Sequence, residues 1–167
     1  NLCRHLATQA YRITYLPVNG EGMLDLEELR KSLREDTALV SVMWANNETG
    51  VVFPIKEIGE MVKERGIIFH VDAVQAVGRI PINLRKLSQV DLLSLSGHKF
   101  HGPKGVGALF VRRGTKLHPL IVGGPQEGMR RGGTENVASI IGMGKAVELA
   151  PIYLQEEDTR VRKLRDQ

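Results

Sequence analysis

The segment VDLLSLSGHKFHGPKGVGALFVR, residues 90–112, contains two apolar runs divided by a polar, glycine-rich turn. VDLLSLS (90–96) and VGALFVR (106–112) read as strands, because each is short, apolar and bounded by turn residues. Ser96, Gly97, His98 and Lys99 stand together where the first run stops. A plain surface loop would explain a lysine and a histidine there. An active-site lysine at the carboxyl end of a sheet strand would explain the whole cluster, and the rest of the chain separates the two readings.

Upstream, IIFHV (67–71) is a third strand and ALVSVMW (38–44) a fourth. The fourth is so continuously apolar that cover on both faces is expected. RITYLPV (12–18) reads as a further strand, turned by GEG (20–22). In LDLEELRKSL (24–33) the leucines fall near helical spacing, and Asp25 with Glu28 resembles a capping box. Pro54 opens IKEIGEMVKER, a helix stopped by Gly66. NVASIIGMGKAVELA (136–150) is the last helix, which Pro151 is expected to end or kink before a charged tail. Strands alternating with helices imply an α/β domain with a mostly parallel sheet and helices on both faces. In such sheets ligands gather beyond the carboxyl ends of the strands.

The 167 residues, 42% hydrophobic and 25% charged, suffice for one domain with a true core. The 23 basic residues are interspersed with 19 acidic ones and form no block, which argues against a nucleic-acid partner. The single cysteine, Cys3 in LCRHL, reads as half-buried in a helix rather than as a nucleophile. It excludes an internal disulfide framework and fits a reducing, cytoplasmic setting. No apolar run is expected to reach membrane-spanning length, no signal pattern opens the chain, and no membrane partner is expected. The sequence starts at Asn1, without an initiator methionine and in a stretch that reads as helical, as a fragment would.

Four polar clusters follow the strands: ANNETG (45–50), HVDAVQ (70–75), SGHK (96–99) and GGPQEGMRRGGTEN (123–136). The last ends at a helix start, where free N–H groups favour anions. GPKGVG has the glycine content of a dinucleotide fingerprint but precedes a strand, and no Walker A pattern occurs. His98 and His101 lack the companions of a zinc site, so no metal is expected. The combination that makes chemical sense is pyridoxal phosphate. Its aldehyde needs a lysine and its pyridine nitrogen a carboxylate. Lys99 and Asp72 can supply these from strand ends 27 residues apart, a spacing suited to neighbouring strands joined by a crossover. Ser96, His98 and the GGT at 132–134 offer phosphate donors, and Asn47 and Gln75 offer amides to the phenolic oxygen. Singly, each residue has a plainer account as a cap or a turn. Asp91, at a strand start, has no site role.

ANNETG, HVDAVQAVG, SGHKFHGPKGVGALFVRR and RGGTEN together resemble the signature blocks of cysteine desulfurases. These belong to the class V aminotransferase family of fold-type I pyridoxal-phosphate enzymes. The blocks occur in family order and cover nearly the whole chain. The resemblance implies that residues 1–167 are the central part of the cofactor-binding large domain, truncated at both ends. It implies that Lys99 forms the Schiff base and shuttles the substrate's α-proton. Asp72 would pair with the pyridinium nitrogen, Asn47 and Gln75 would hold the phenolic oxygen, and Ser96 and His98 the phosphate. Thr134 would reach a phosphate across a homodimer interface. The implied reaction converts L-cysteine to L-alanine and leaves a persulfide on an enzyme cysteine, to supply a sulfur-acceptor or iron–sulfur scaffold protein. A stacking histidine and a second phosphate loop would precede Asn1. The cysteine loop and a carboxylate-binding arginine would follow Gln167. A selenocysteine lyase would share almost every residue named. A catalytically incomplete scaffold or interaction module is the other alternative, and the intact Lys99, Asp72 and Gln75 argue against it.

Overall fold

Four strands in chain order make the sheet at the centre of the computed structural model, which describes residues 2–167. They are β1 (Leu39–Met43), β2 (Ile68–Asp72), β3 (Leu92–Ser96) and β4 (Gly107–Val111). β1, β2 and β3 run parallel, and β4 returns antiparallel along β3. The helices are α1 (Leu2–Thr8), α2 (Leu26–Ser32), α3 (Ile55–Glu64) and α4 (Val137–Arg165). A 3-10 turn (Gly97–Phe100) follows β3, and two-residue strands β5 (Pro125–Gln126) and β6 (Arg131–Gly132) form a small hairpin. The α/β reading and the mostly parallel sheet both hold.

The core lies between α3 and one face of the sheet. Ile55, Ile58 and Val62 recur at helical spacing and are at most 2% exposed, as are Phe69, Val71 and Leu93 on the strands they cover. Gly59 permits this approach, since a β-carbon there would lie 2.7 Å from the Gln89 side chain and 3.1 Å from the Phe69 ring. Asp25 caps α2 by accepting from the amides of Glu27 and Glu28 at 2.8 and 3.4 Å. Pro54 and Gly66 bracket α3 as the sequence suggests, with Gly66 at a φ of 68°. The β2–β3 crossover, residues 73–91, is built of turns with no α-helix.

Asp91 is more than a strand start. It is 7% exposed, and its carboxylate accepts from the Phe69 amide at 2.9 Å while Lys63 Nζ lies 3.4 Å away. It thereby ties β3 to β2 and α3. Arg112 closes the same end of the sheet, donating to the carbonyls of Val90, Leu84 and Leu87 at 2.6 to 3.2 Å.

Five expectations are corrected. RITYLPV joins no ladder, and of its residues only Val18 bridges, to Leu24 across the turn. Its alternation is right for a strand, but a strand also needs a neighbour's backbone, and a groove of about 730 Å³ separates it from β1. β1 is not covered on both faces, because Leu39, Ser41 and Met43 are exposed. Of the end or kink expected at Pro151, the end does not occur: α4 continues for 14 further residues to Arg165. The proline forfeits one amide donor, while pairs such as Lys145–Glu148 and Glu157–Arg160, each at 2.8 Å, support the helix on either side. That continuous helix is long and apolar enough to cross a membrane by length and composition alone, contrary to the sequence reading. Its Gly142, however, sits against the Pro103 ring, where a β-carbon would come within 2.7 Å. Last, Cys3 is exposed, because α1 buries none of its residues.

Candidate active site

Parallel pairing brings the carboxyl ends of β1, β2 and β3 to one edge of the sheet. Asp72 is the last residue of β2 and lies in register with Met43 on β1 and Ser94 on β3. The ladder extends past the strands, with the Trp44 amide on the Asp72 carbonyl at 2.8 Å and the Ala73 amide on the Ser94 carbonyl at 2.9 Å. Three of the expected clusters leave from this edge. Asn47 is exposed in the turn after β1, Gln75 half-buried in the turn after β2, and Ser96, His98 and Lys99 end β3 and enter the 3-10 turn.

That turn is held from below. Gly97 and Phe100, three residues apart, share one side of a 3-10 helix and are both buried. His98 and Lys99 are therefore left on the outer side, exposed and half-buried respectively. The Gly97 amide donates to the Val106 carbonyl and the Gly102 amide to the Gly97 carbonyl, each at 2.9 Å. Neither glycine can be enlarged freely, since a β-carbon on Gly97 would meet Val106 Cγ1 at 3.0 Å and one on Gly102 the Gly97 carbonyl at 2.8 Å. Buried Phe100 anchors the turn against Gly78, where a β-carbon would lie 2.6 Å from that of Phe100.

The donor set fits pyridoxal phosphate. Asp72 Oδ1 accepts from the Val74 amide at 3.0 Å, and among the described residues Oδ2 has no hydrogen-bond or ion-pair partner. Lys99 Nζ likewise has none. Ser96 Oγ and His98 Nδ1 lie 3.0 Å apart, which pre-orients a hydroxyl and an imidazole beside the turn. The neighbouring Asn46 has a structural task instead: its Oδ1 accepts from the amides of Glu48 and Thr49 at 2.8 and 2.9 Å and shapes the turn that presents Asn47. Thr134 is exposed in the loop between β6 and α4 and has no hydrogen bond to the cluster. One residue of this edge escaped the sequence reading. His70, on the same face of β2 as Asp72, bonds through Nδ1 to Ser41 Oγ at 2.7 Å and through Nε2 to Ser94 Oγ at 2.8 Å. Burial lowers its pKa from the ordinary 6.5, and the opposing pull of the Asp72 charge is smaller. The alternation of polar with apolar residues in IFHVD and LLSLS carried the signal, since it places His70 and Ser94 on one face.

The fold is that of an α/β domain whose sheet presents a carboxylate, Asp72, and a lysine, Lys99, along its carboxyl edge. The family model for class V aminotransferases matches residues 1–167, and the chain belongs to that family. It is 60% identical over 166 residues to a cysteine desulfurase of Trichormus azollae, covering 99% of this chain and 41% of that one. Against the cysteine desulfurase NifS of Azotobacter vinelandii the identity is 54% over 166 residues, with the same coverage. A solved NifS-like protein matches with a TM-score of 0.94 at 45% identity, over 98% of this chain and 45% of that one. A solved SspA in complex with cysteine matches with a TM-score of 0.84 at 41% identity, over 88% and 43%. The chain thus spans 41% of the length of these two curated relatives.

Proposed function

We propose that these residues belong to a pyridoxal-phosphate-dependent cysteine desulfurase. The full protein would convert L-cysteine to L-alanine and pass the sulfur, as a persulfide on an enzyme cysteine, to an acceptor such as an iron–sulfur scaffold protein. The observation that carries this reading is the placement of Asp72 at the end of β2 and of Lys99 in the turn after the adjacent parallel β3, each with a charged atom that has no partner among the described residues. The desulfurase names of the relatives support it.

When bound, pyridoxal phosphate supplies an aldehyde for a lysine amine and a ring that accepts electrons from the substrate. Asp72 would hold a proton on the ring nitrogen through its free oxygen. Lys99 Nζ would capture the aldehyde and later move the substrate's α-proton. Ser96 and His98 would bind phosphate, Asn47 and Gln75 the phenolic oxygen, and Thr134 a phosphate of the second protomer in a cytoplasmic homodimer. Cys3, exposed on α1 and remote in sequence from every strand-end cluster, is not assigned the sulfur.

The test is chemical. The full-length protein should be yellow with cofactor, and borohydride reduction should fix the label to the peptide containing Lys99. A label on Lys104 or Lys116 instead would defeat the assignment. Lys99→Ala should keep the fold and abolish alanine formation.

A further inference from the structure

The Ser41–His70–Ser94 row crosses three strands on the open face of the sheet, one alternation step from Asp72. Each ring nitrogen of His70 faces a hydroxyl. A hydroxyl can donate or accept, so the row can be satisfied with a neutral ring in either tautomer. The two arrangements differ in what they do to Asp72. Ser94 is the register partner of Asp72 and lies on its face. If Ser94 donates its proton to a bare Nε2, it has no proton left for the carboxylate. If Nε2 carries the proton, the Ser94 hydroxyl accepts from it and keeps its own proton free to turn toward the carboxylate of its register partner.

We propose that His70 is a positioning residue for Asp72: as the neutral Nδ1–H tautomer, donating to Ser41 and accepting from Ser94, it keeps the free carboxylate oxygen of Asp72 open to a protonated heterocycle. The inference rests on the role assigned to Asp72 above. It adds a residue that touches neither cofactor nor substrate and acts through Ser94 and through its own lack of charge. An imidazolium at this place would put a positive charge within the field of Asp72 and compete electrostatically with a protonated ring for it. The burial that depresses the His70 pKa works in the same direction as the row. Among the described strand residues, Asp72 is the one charged side chain the open face sets beside the ring, since β1 offers Leu39, Ser41 and Met43 and β3 offers Leu92 and Ser94.

The experiment uses the full-length protein. Nitrogen-15 NMR of the imidazole in the cofactor-free protein at pH 7.5 should show His70 with a protonated Nδ1 and a bare Nε2. An Nε2–H tautomer or an imidazolium would overturn the proposal. Pyridoxal phosphate affinity is then measured for His70→Ala, Asp72→Asn and the double variant, with thermal midpoints of the cofactor-free proteins alongside. His70→Ala should weaken binding about tenfold, and this loss should vanish in the Asp72→Asn background, as expected for two groups acting as a unit. His70→Asn, neutral and able to bond both serines, should recover most of the affinity. His70→Lys should not, although its charge would suit a phosphate. Additive losses in the double variant, or a His70→Ala effect seen only in the thermal midpoint, would mean that the row merely ties the strands together. If Asp72→Asn by itself leaves affinity and the cofactor's absorbance unchanged, the underlying role of Asp72 fails, and this inference fails with it.

Discussion

Asp72 and His70 share a strand face, and in the proposed function they divide the electrostatic work of the site. Asp72 keeps one oxygen on the Val74 amide and one open, which is the arrangement of a charge partner waiting for a cation. Asp72→Asn should lower turnover about a hundredfold or more, the scale of losing a preorganised charge at a reacting group. The proper control is Glu57→Gln, exposed on α3 and unpaired among the described residues, and not Asp91→Asn, because Asp91 is buried and structural. Similar losses for Asp72→Asn and Glu57→Gln would reduce Asp72 to a turn cap. His70 gives a pH signature with a definite sign. Its folded pKa lies below 6.5, so the unfolded chain binds the proton more readily as pH falls below that value. The neutral ring's contribution to stability is present above pH 6.5 and is lost as pH falls through the folded pKa. Melting of the cofactor-free protein from pH 7.5 to 5 should show a steeper decline for the native sequence than for His70→Asn. Parallel declines would contradict the lowered pKa.

At the scale of the elements, the turn after β3 is built by exclusion: its glycines sit where other side chains collide with backbone. Gly102→Ala should destabilise by about 1–3 kcal/mol, the usual cost of overpacking, and should weaken cofactor binding because the displaced carbonyl belongs to the turn that carries Lys99. Asp91→Ala should cost a similar amount by leaving the buried Phe69 amide without its acceptor, yet spare cofactor affinity in the protein that remains folded. Denaturant midpoints and pyridoxal phosphate titrations on both variants separate the two cases, and a binding loss in Asp91→Ala would blur the division between scaffold and site. These elements also mark what the sequence could and could not tell. Strand ends were legible because apolar runs stop abruptly at Asp72 and Ser96, and parallel pairing then forces those ends together. Partnership was not legible. RITYLPV has a strand's alternation and no ladder, ALVSVMW has a buried strand's composition and an open face, and Pro151 has a breaker's chemistry inside a continuous helix. In each case the outcome depended on what lies beside the segment, which local composition does not encode. His70 was overlooked for the same reason, since its meaning comes from serines 29 residues before it and 24 after it.

Across the whole molecule, apolar exposure is too extensive and too organised for a self-sufficient domain. Leu39, Met43 and Leu109 are 40 to 51% exposed on the sheet face opposite α3, and Leu120, Ile121 and Val122 are 57 to 97% exposed in the loop before the β5–β6 hairpin. Val137, Ile141 and Ile152 add 59 to 67% along α4, whose described packing is confined largely to the 3-10 turn. Contiguous apolar surface of this kind marks packing against something else, and in the relatives about three fifths of the chain lies outside the matched region. Thr134 likewise stands exposed, with no side-chain hydrogen bond among the described residues. The 167 residues expressed alone should therefore bind a hydrophobic dye, self-associate in sedimentation, and take up pyridoxal phosphate at least about tenfold more weakly than the longer protein, since binding must also order what the missing packing would have held. They should release no alanine from L-cysteine with a reductant above a Lys99→Ala control. A monodisperse, dye-silent preparation with sustained alanine release would show that the sheet, the turn and these seven side chains suffice, and that the exposed faces carry no packing partner.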